Sequence, residues 1–196
     1  GEAATTHATG YLFQPEPGPF VDLYLTNDRV DPWEGEVRWS LETLDGDVCF
    51  AGRQDVRVDG LDAVRVRALN LEEDVDRTNE REVVLVYELW REGDRINRGL
   101  LSFVPSKHLA LSDPGLEATV EVTDQGYAIT VSAEKVARFV FLSLDAPEGD
   151  VITLSDNFFD LPAGRSVTIQ MPKIEGWSAE DVASALEVRS LFDTYA

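Results

Sequence analysis

Alternation with a period of two governs most of this chain. In EVRWSLETL (36–44), Val37, Trp39 and Leu41 share one face, while Glu36, Arg38, Ser40 and Glu42 share the other. Successive side chains of a strand point to opposite sides of the sheet, so this segment is a strand with one buried face. Asp45-Gly46 follows directly and can reverse the chain into DVCFAG. DVRVDG and AVRVRALNL repeat the alternation, with Gly60 in the turn between them. REVVLVYELW is apolar on both faces, the pattern of a central strand, and REGDR turns it back into INRGLLSFVP.

PSKHLALSDPG then interrupts the pattern with Pro105, Pro114 and Gly115 and reads as a linker. Beyond it, LEATVEVT turns at Asp124-Gln125-Gly126 into YAITVSAE, and ARFVFLSL and RSVTIQM follow. SAEDVASAL is the one helix candidate, with Ser178 and Asp181 spaced as a capping box, and a last strand, EVRSLF, follows it. Short strands with turn signals every eight to twelve residues or so, in two blocks of roughly 100, predict an all-β chain of two tandem sandwiches. A length of 196 residues accommodates both. The expected divisions are a disordered or appended start over 1–15, a first sandwich over 16–105, a linker over 106–115 and a second sandwich over 116–196.

Charge narrows the partners. With 37 acidic against 17 basic residues the formal net charge is −20, which repels nucleic-acid backbones and anionic membrane surfaces. Lysine occurs only at positions 107, 135 and 173, and such an acidic, arginine-biased surface suits a high-salt medium as well as an ordinary acidic protein. One cysteine, Cys49, excludes an internal disulfide framework and favours a reducing, cytoplasmic setting.

Residues that usually carry chemistry are scarce. His7 lies in the polar start and His108 in the linker, neither with partners at metal-ligand spacing. Cys49 reads as a core residue. Glu72-Glu73-Asp74-x-Asp76 gathers hard oxygen ligands but lacks a glycine-bearing calcium loop, so it reads as a solvated loop. Neither a catalytic residue, a metal ligand nor a cofactor is assigned. Trp39 and Trp90 read as core, and Trp177 as a staple at the helix start. Trp33, between Pro32 and Gly35, could stack on a sugar, dock on a neighbouring domain or plug its own loop partly buried, and the pair Phe158-Phe159 in SDNFFDLPAG is the other candidate for contact with a sugar or a neighbouring domain. Consecutive strand residues face opposite ways, so one of the two phenylalanines can enter the core while the other meets a partner.

Four stretches, VDLYLTNDRVDPWEGEVRWSLETLDGDV, NRGLLSFVPSKHLAL, ARFVFLSL…SDNFFDLPAGRSVTI and LEVRSLFDTYA, together resemble the C-terminal region of the β-mannosidases of glycoside hydrolase family 2. The resemblance implies two immunoglobulin-like sandwiches, the first carbohydrate-binding-like, that follow a catalytic (β/α)8 barrel. It implies that the chain packs against that barrel, with binding of manno-oligosaccharides as the alternative role. The family's catalytic glutamates lie on the barrel, which needs about 200 residues or more of alternating strand and helix. Neither that length nor that pattern is here, so no catalytic residue transfers, and the chain alone is expected to be inert.

Overall fold

The computed structural model describes residues 4–11 as backbone, 19–145 and 152–194. Contacts divide the chain into two units, Gly1–Ala110 and Leu111–Ala196. In the first, β1 (Ala4–Tyr11), β2 (Phe20–Asn27) and β5 (Asp62–Asn70) form one antiparallel sheet in the order β1-β2-β5. The second sheet runs β4-β3-β6-β7, from β3 (Trp33–Thr43), β4 (Val48–Val58), β6 (Val83–Arg91) and β7 (Asp94–Ser102). The core comes from the inward halves of the alternating strands: Val21, Leu23 and Leu25 of β2, Val37, Trp39 and Leu41 of β3, and Leu85 and Leu89 of β6. Each such aliphatic side chain, fully buried, stabilises the unit by about 1.5–3 kcal/mol.

Three expectations are corrected here. Part of the polar start is a strand, because Ala4–Tyr11 pairs residue for residue with Asn27–Phe20 of β2. DVCFAG and DVRVDG are one continuous strand, β4, rather than two. Gly52 within it is a packing residue: it lies opposite Trp39 in register, and a Cβ there would come within 2.5 Å of the indole. The same strand turns Phe50 toward the core and leaves Cys49 exposed, so the thiol is not a core group.

In the second unit, β8 (Glu117–Thr123), β9 (Gly126–Ala133) and β12 (Arg165–Pro172) form a sheet in the order β12-β9-β8. The facing strands are β10 (Ala137–Leu144), β11 (Phe159–Leu161) and β13 (Leu186–Arg189), in the order β11-β10-β13. Tyr127, Ile129 and Val131 of β9 meet Val140, Leu142, Leu161 and Ile169 in the core. Helix α1 (Ala179–Ala185) begins with the capping box: Ser178 accepts from the Asp181 N–H, and the Asp181 carboxylate accepts from the Ser178 N–H. Val182, at the fourth helical position, is buried, and Trp177 before the cap packs on the same core, the arrangement of a hydrophobic staple.

Between the units, Ala110 N–H donates to the Arg81 carbonyl and Arg81 Nε to the His108 carbonyl, which ties the segment through Ala110 to the first unit. On the other side, the Pro114 carbonyl accepts from Glu134 and Lys135 N–H groups, which ties it to the second. Among the described residues no helix is long and apolar enough to cross a membrane.

Candidate functional site

Trp33 does not present a surface. It opens β3 with only 2% exposure and lies wholly within the first core. A Cβ on Gly35 would sit 2.2 Å from its ring, so that glycine leaves the room the indole fills. As a contact residue Trp33 is therefore corrected to a core plug. Trp90 is corrected in the opposite sense: it is half-buried, with the Arg38 guanidinium 4.1 Å above its ring.

The segment Asn157–Asp160 builds a different kind of structure. β10 pairs with β11 through Ala137↔Leu161 and Val140↔Phe159, so Arg138 and Phe139 together oppose the single residue Asp160. This is a β-bulge, with one extra residue on β10. Asp160 closes it: its carboxylate accepts from the Phe139 N–H at 3.0 Å and lies 3.2 Å from the Nε of the buried Arg138. Two residues further along, the ladder is completed by a side chain. The Asn157 amide accepts from the Leu142 N–H and donates to the Leu142 carbonyl, both at 2.9 Å. Its oxygen also accepts from the Phe158 N–H at 3.0 Å.

These clamps hold two phenylalanines in a conformation that L-residues avoid. Phe139 has φ 52° and Phe158 has φ 65°. For a bulky side chain the left-handed region costs roughly 1–2 kcal/mol per residue. The result is an outward aromatic group. Phe158 is 65% exposed and Phe141 42%. The Phe158 ring stacks on Phe139 at 6.0 Å between centroids and meets the edge of Phe141 at 5.9 Å. Phe159, the next residue, packs partly buried against the second core. The pair thus faces two ways, and only Phe158 is available to a partner.

Phe139 and Phe141 were not singled out from sequence. Their signal is ARFVFLSL itself, where Val140 and Leu142 fill the inward face and the outward face still carries two aromatic rings. The acidic loop has its own structural use: Asp76 accepts from the hydroxyl and N–H of Thr78 and from the N–H of Asn79. Those bonds, led by the Thr78 hydroxyl, hold its carboxyl below the ordinary value. Among the described residues no cluster of three or more histidine, cysteine or carboxylate groups is arranged to hold a metal. The aromatic corner has the chemistry of a contact surface, without a nucleophile or an acid–base pair.

Comparison with known proteins matches residues 21–108 to the Mannosidase Ig/CBM-like domain and residues 111–194 to the Ig-fold domain of mannosidases. The β-D-mannosidase of Dictyoglomus thermophilum has a similar structure, with TM-score 0.80 and 19% identity over 96% of this chain and 22% of that one. The exo-chitosanase CsxA of Amycolatopsis orientalis matches with TM-score 0.60 and 12% identity over 86% of this chain and 24% of that one. At these identities the likeness is one of fold, and the chain spans less than a quarter of either enzyme's length. The curated protein sequences contain no match.

Proposed function

We propose, starting from the fact that this chain is a tandem of the two Ig-like domains of the β-mannosidase type, that it is the non-catalytic accessory tail of a glycoside hydrolase. Its work is to pack against a catalytic barrel that is not in this chain and to hold that barrel in shape. The parent enzyme is a retaining hydrolase of β-mannosides. The observation that carries the docking role is the outward group Phe139, Phe141 and Phe158. Two left-handed phenylalanines cost roughly 2–4 kcal/mol together, and leaving the rings in water returns nothing to the domain. Burying what these rings still expose, chiefly 65% of Phe158 and 42% of Phe141, against a partner stabilises the assembly by roughly 2–4 kcal/mol. Backbone strain of this kind concentrates where a protein meets something else.

Manno-oligosaccharide binding by the same rings has less support. The polar groups beside them, Asn157 and Asp160, already hold Leu142, Phe139 and Arg138. Reading sugar hydroxyls needs such groups at hand. The exposed Cys49 thiol supports a reducing, cytoplasmic setting for the parent.

The test compares Phe158→Ala in this chain and in the same protein expressed with its upstream coding sequence. The isolated chain keeps or raises its thermal midpoint, while the longer enzyme loses thermal stability and its barrel becomes sensitive to limited proteolysis. An unchanged longer enzyme removes the docking role.

A further inference from the structure

One end of the first unit carries a small apolar tip. Val30, in the loop between β2 and β3, is 78% exposed, and Leu61, in the turn between β4 and β5, is 71% exposed. A single buried side chain fastens the loop and the turn together. Asn27, which has no exposed surface, donates to the Asp31 carbonyl at 2.9 Å and to the Asp59 carbonyl at 3.1 Å, and accepts from the Arg29 N–H. The Leu61 N–H donates to the Arg29 carbonyl at 2.8 Å. Gly60 lies so close to Val30 that a Cβ on it would stand 2.0 Å from the Val30 carbonyl oxygen. The glycine of this turn thus serves the close approach, and the left-handed position falls to Leu61, at φ 58°.

The stability of the unit does not account for this tip. A leucine is strained in the left-handed region, where glycine or asparagine is easily placed. Neither Leu61 nor Val30 belongs to the core, so burial does not offset that strain. Rigid and turned outward, the pair is preorganised for contact. Its surroundings narrow the partner. Asp28 and Asp31 beside Val30, and Asp59 and Asp62 beside Leu61, are all exposed. They outnumber Arg29 and Arg57, and Arg57 already pairs with Glu34 at 2.6 Å. A second copy would bring the same aspartates and the same net charge of −20, which opposes self-association. The complementary surface is apolar at its centre and basic at its rim. Two side chains cover far less than the roughly 1,200–2,000 Å² of a stable interface between separate proteins. A partner on the same polypeptide needs less, because the covalent link raises its effective concentration. The register says where such a partner comes in. Ala4, the first residue of β1, pairs with Asn27, and Asp62 pairs with Asn27 from the other side. Polypeptide that leads into β1 therefore arrives at this tip. We infer that the tip is a docking knob for the domain leading into β1, seated in an apolar hollow edged by lysine or arginine. That this domain is the catalytic barrel rests on the proposed function; the knob itself is a separate contact, on the other unit from the aromatic corner.

Cysteine labelling tests the contact position by position. Leu61→Cys, Val30→Cys and Phe158→Cys are each made in this chain and in the same protein expressed with its upstream coding sequence. Alkylation by iodoacetamide is timed by mass spectrometry on the peptide that carries the new thiol, so other cysteines do not interfere. In this chain Leu61→Cys and Val30→Cys are expected to react as exposed thiols. In the longer protein both are expected to slow about tenfold or more, as the interface excludes the reagent. Sodium chloride at about 1 M screens the aspartates from a basic rim, so the ratio of the two rates should shrink there. Equal rates for Leu61→Cys and Val30→Cys in the two proteins overturn the inference. If Phe158→Cys is nevertheless protected in the longer protein, the aromatic corner docks without this knob; if only the tip is protected, the knob stands and the corner fails. Slowing that appears in this chain alone as its concentration rises overturns the inference too, since the occupant is then a second copy. A ratio indifferent to salt overturns the basic rim.

Discussion

Replacing Asn157 by alanine tests how the aromatic corner is held. In the wild-type chain the Asn157 amide closes the β10 ladder at Leu142, accepting from its N–H and donating to its carbonyl at 2.9 Å each. Leu142 is only 2% exposed, so water reaches those backbone groups poorly. A buried polar group left unpaired costs about 1–3 kcal/mol. Asn157 itself is half-buried, which admits some water after truncation. The two groups together should therefore cost about 2–4 kcal/mol, or on the order of 10–20 °C in the thermal midpoint of a unit this small. Urea unfolding followed by Trp177, the only tryptophan of the second unit, reads this directly. The first unit's transition, followed by its own three tryptophans, serves as the internal control. Asn157→Asp sharpens the test. A protonated carboxyl can accept and donate as the amide does, whereas a carboxylate can only accept and faces the Leu142 carbonyl. The folded state then favours the protonated form and raises that carboxyl's pKa above its unfolded value, near 3.9. The stabilisation is full below that value and lost as pH rises through the raised one. Asn157→Asp should thus approach wild-type stability in acid and fall behind it near neutrality. A loss under about 0.5 kcal/mol for Asn157→Ala, the size of an ordinary surface substitution, would refute the side-chain closure of the ladder. A pH-independent deficit for Asn157→Asp would do the same.

Three further outcomes are expected. Trp33→Ala should destabilise the isolated first unit by about 3–5 kcal/mol in urea, the usual cost of truncating a buried aromatic, and a near-neutral result would return Trp33 to the surface. Because the net charge is −20, thermal midpoints should rise between low salt and about 1 M sodium chloride, where the Debye length is about 3 Å; a flat or falling midpoint would show that self-repulsion does not limit stability. The Asp181 carboxyl is held below the ordinary aspartate range, first by the Ser178 hydroxyl and then by the Ser178 N–H. Its contribution to stability is therefore present above the unfolded pKa and lost as pH falls through the lower folded one, so Asp181→Asn should flatten the acid limb of the stability curve of the second unit.

The alternation of EVRWSLETL, the doubly apolar run of REVVLVYELW and the Pro/Gly break after Val104 were enough to state an all-β chain of two sandwiches. Ser178 and Asp181 were enough to start the helix, because a capping box is closed within four residues. Such features are local: the partners are neighbours in sequence, and the period of the pattern is the period of the backbone. Period two says which residues share a face, but not which face another sheet will cover. Of the readings open for Trp33 the core was therefore the one realised, while Trp90, read as core, went to the outer face of its sheet. Cys49 went to solvent because Phe50 took the inward position on β4. Gly52 is a packing residue only because the register sets it against Trp39. The aromatic corner depended most on tertiary structure. Asn157 reaches Leu142 across 15 residues and Asp160 reaches Phe139 across 21. Those bonds, formed only once β10 and β11 lie side by side, turn Phe158 outward and its neighbour Phe159 in.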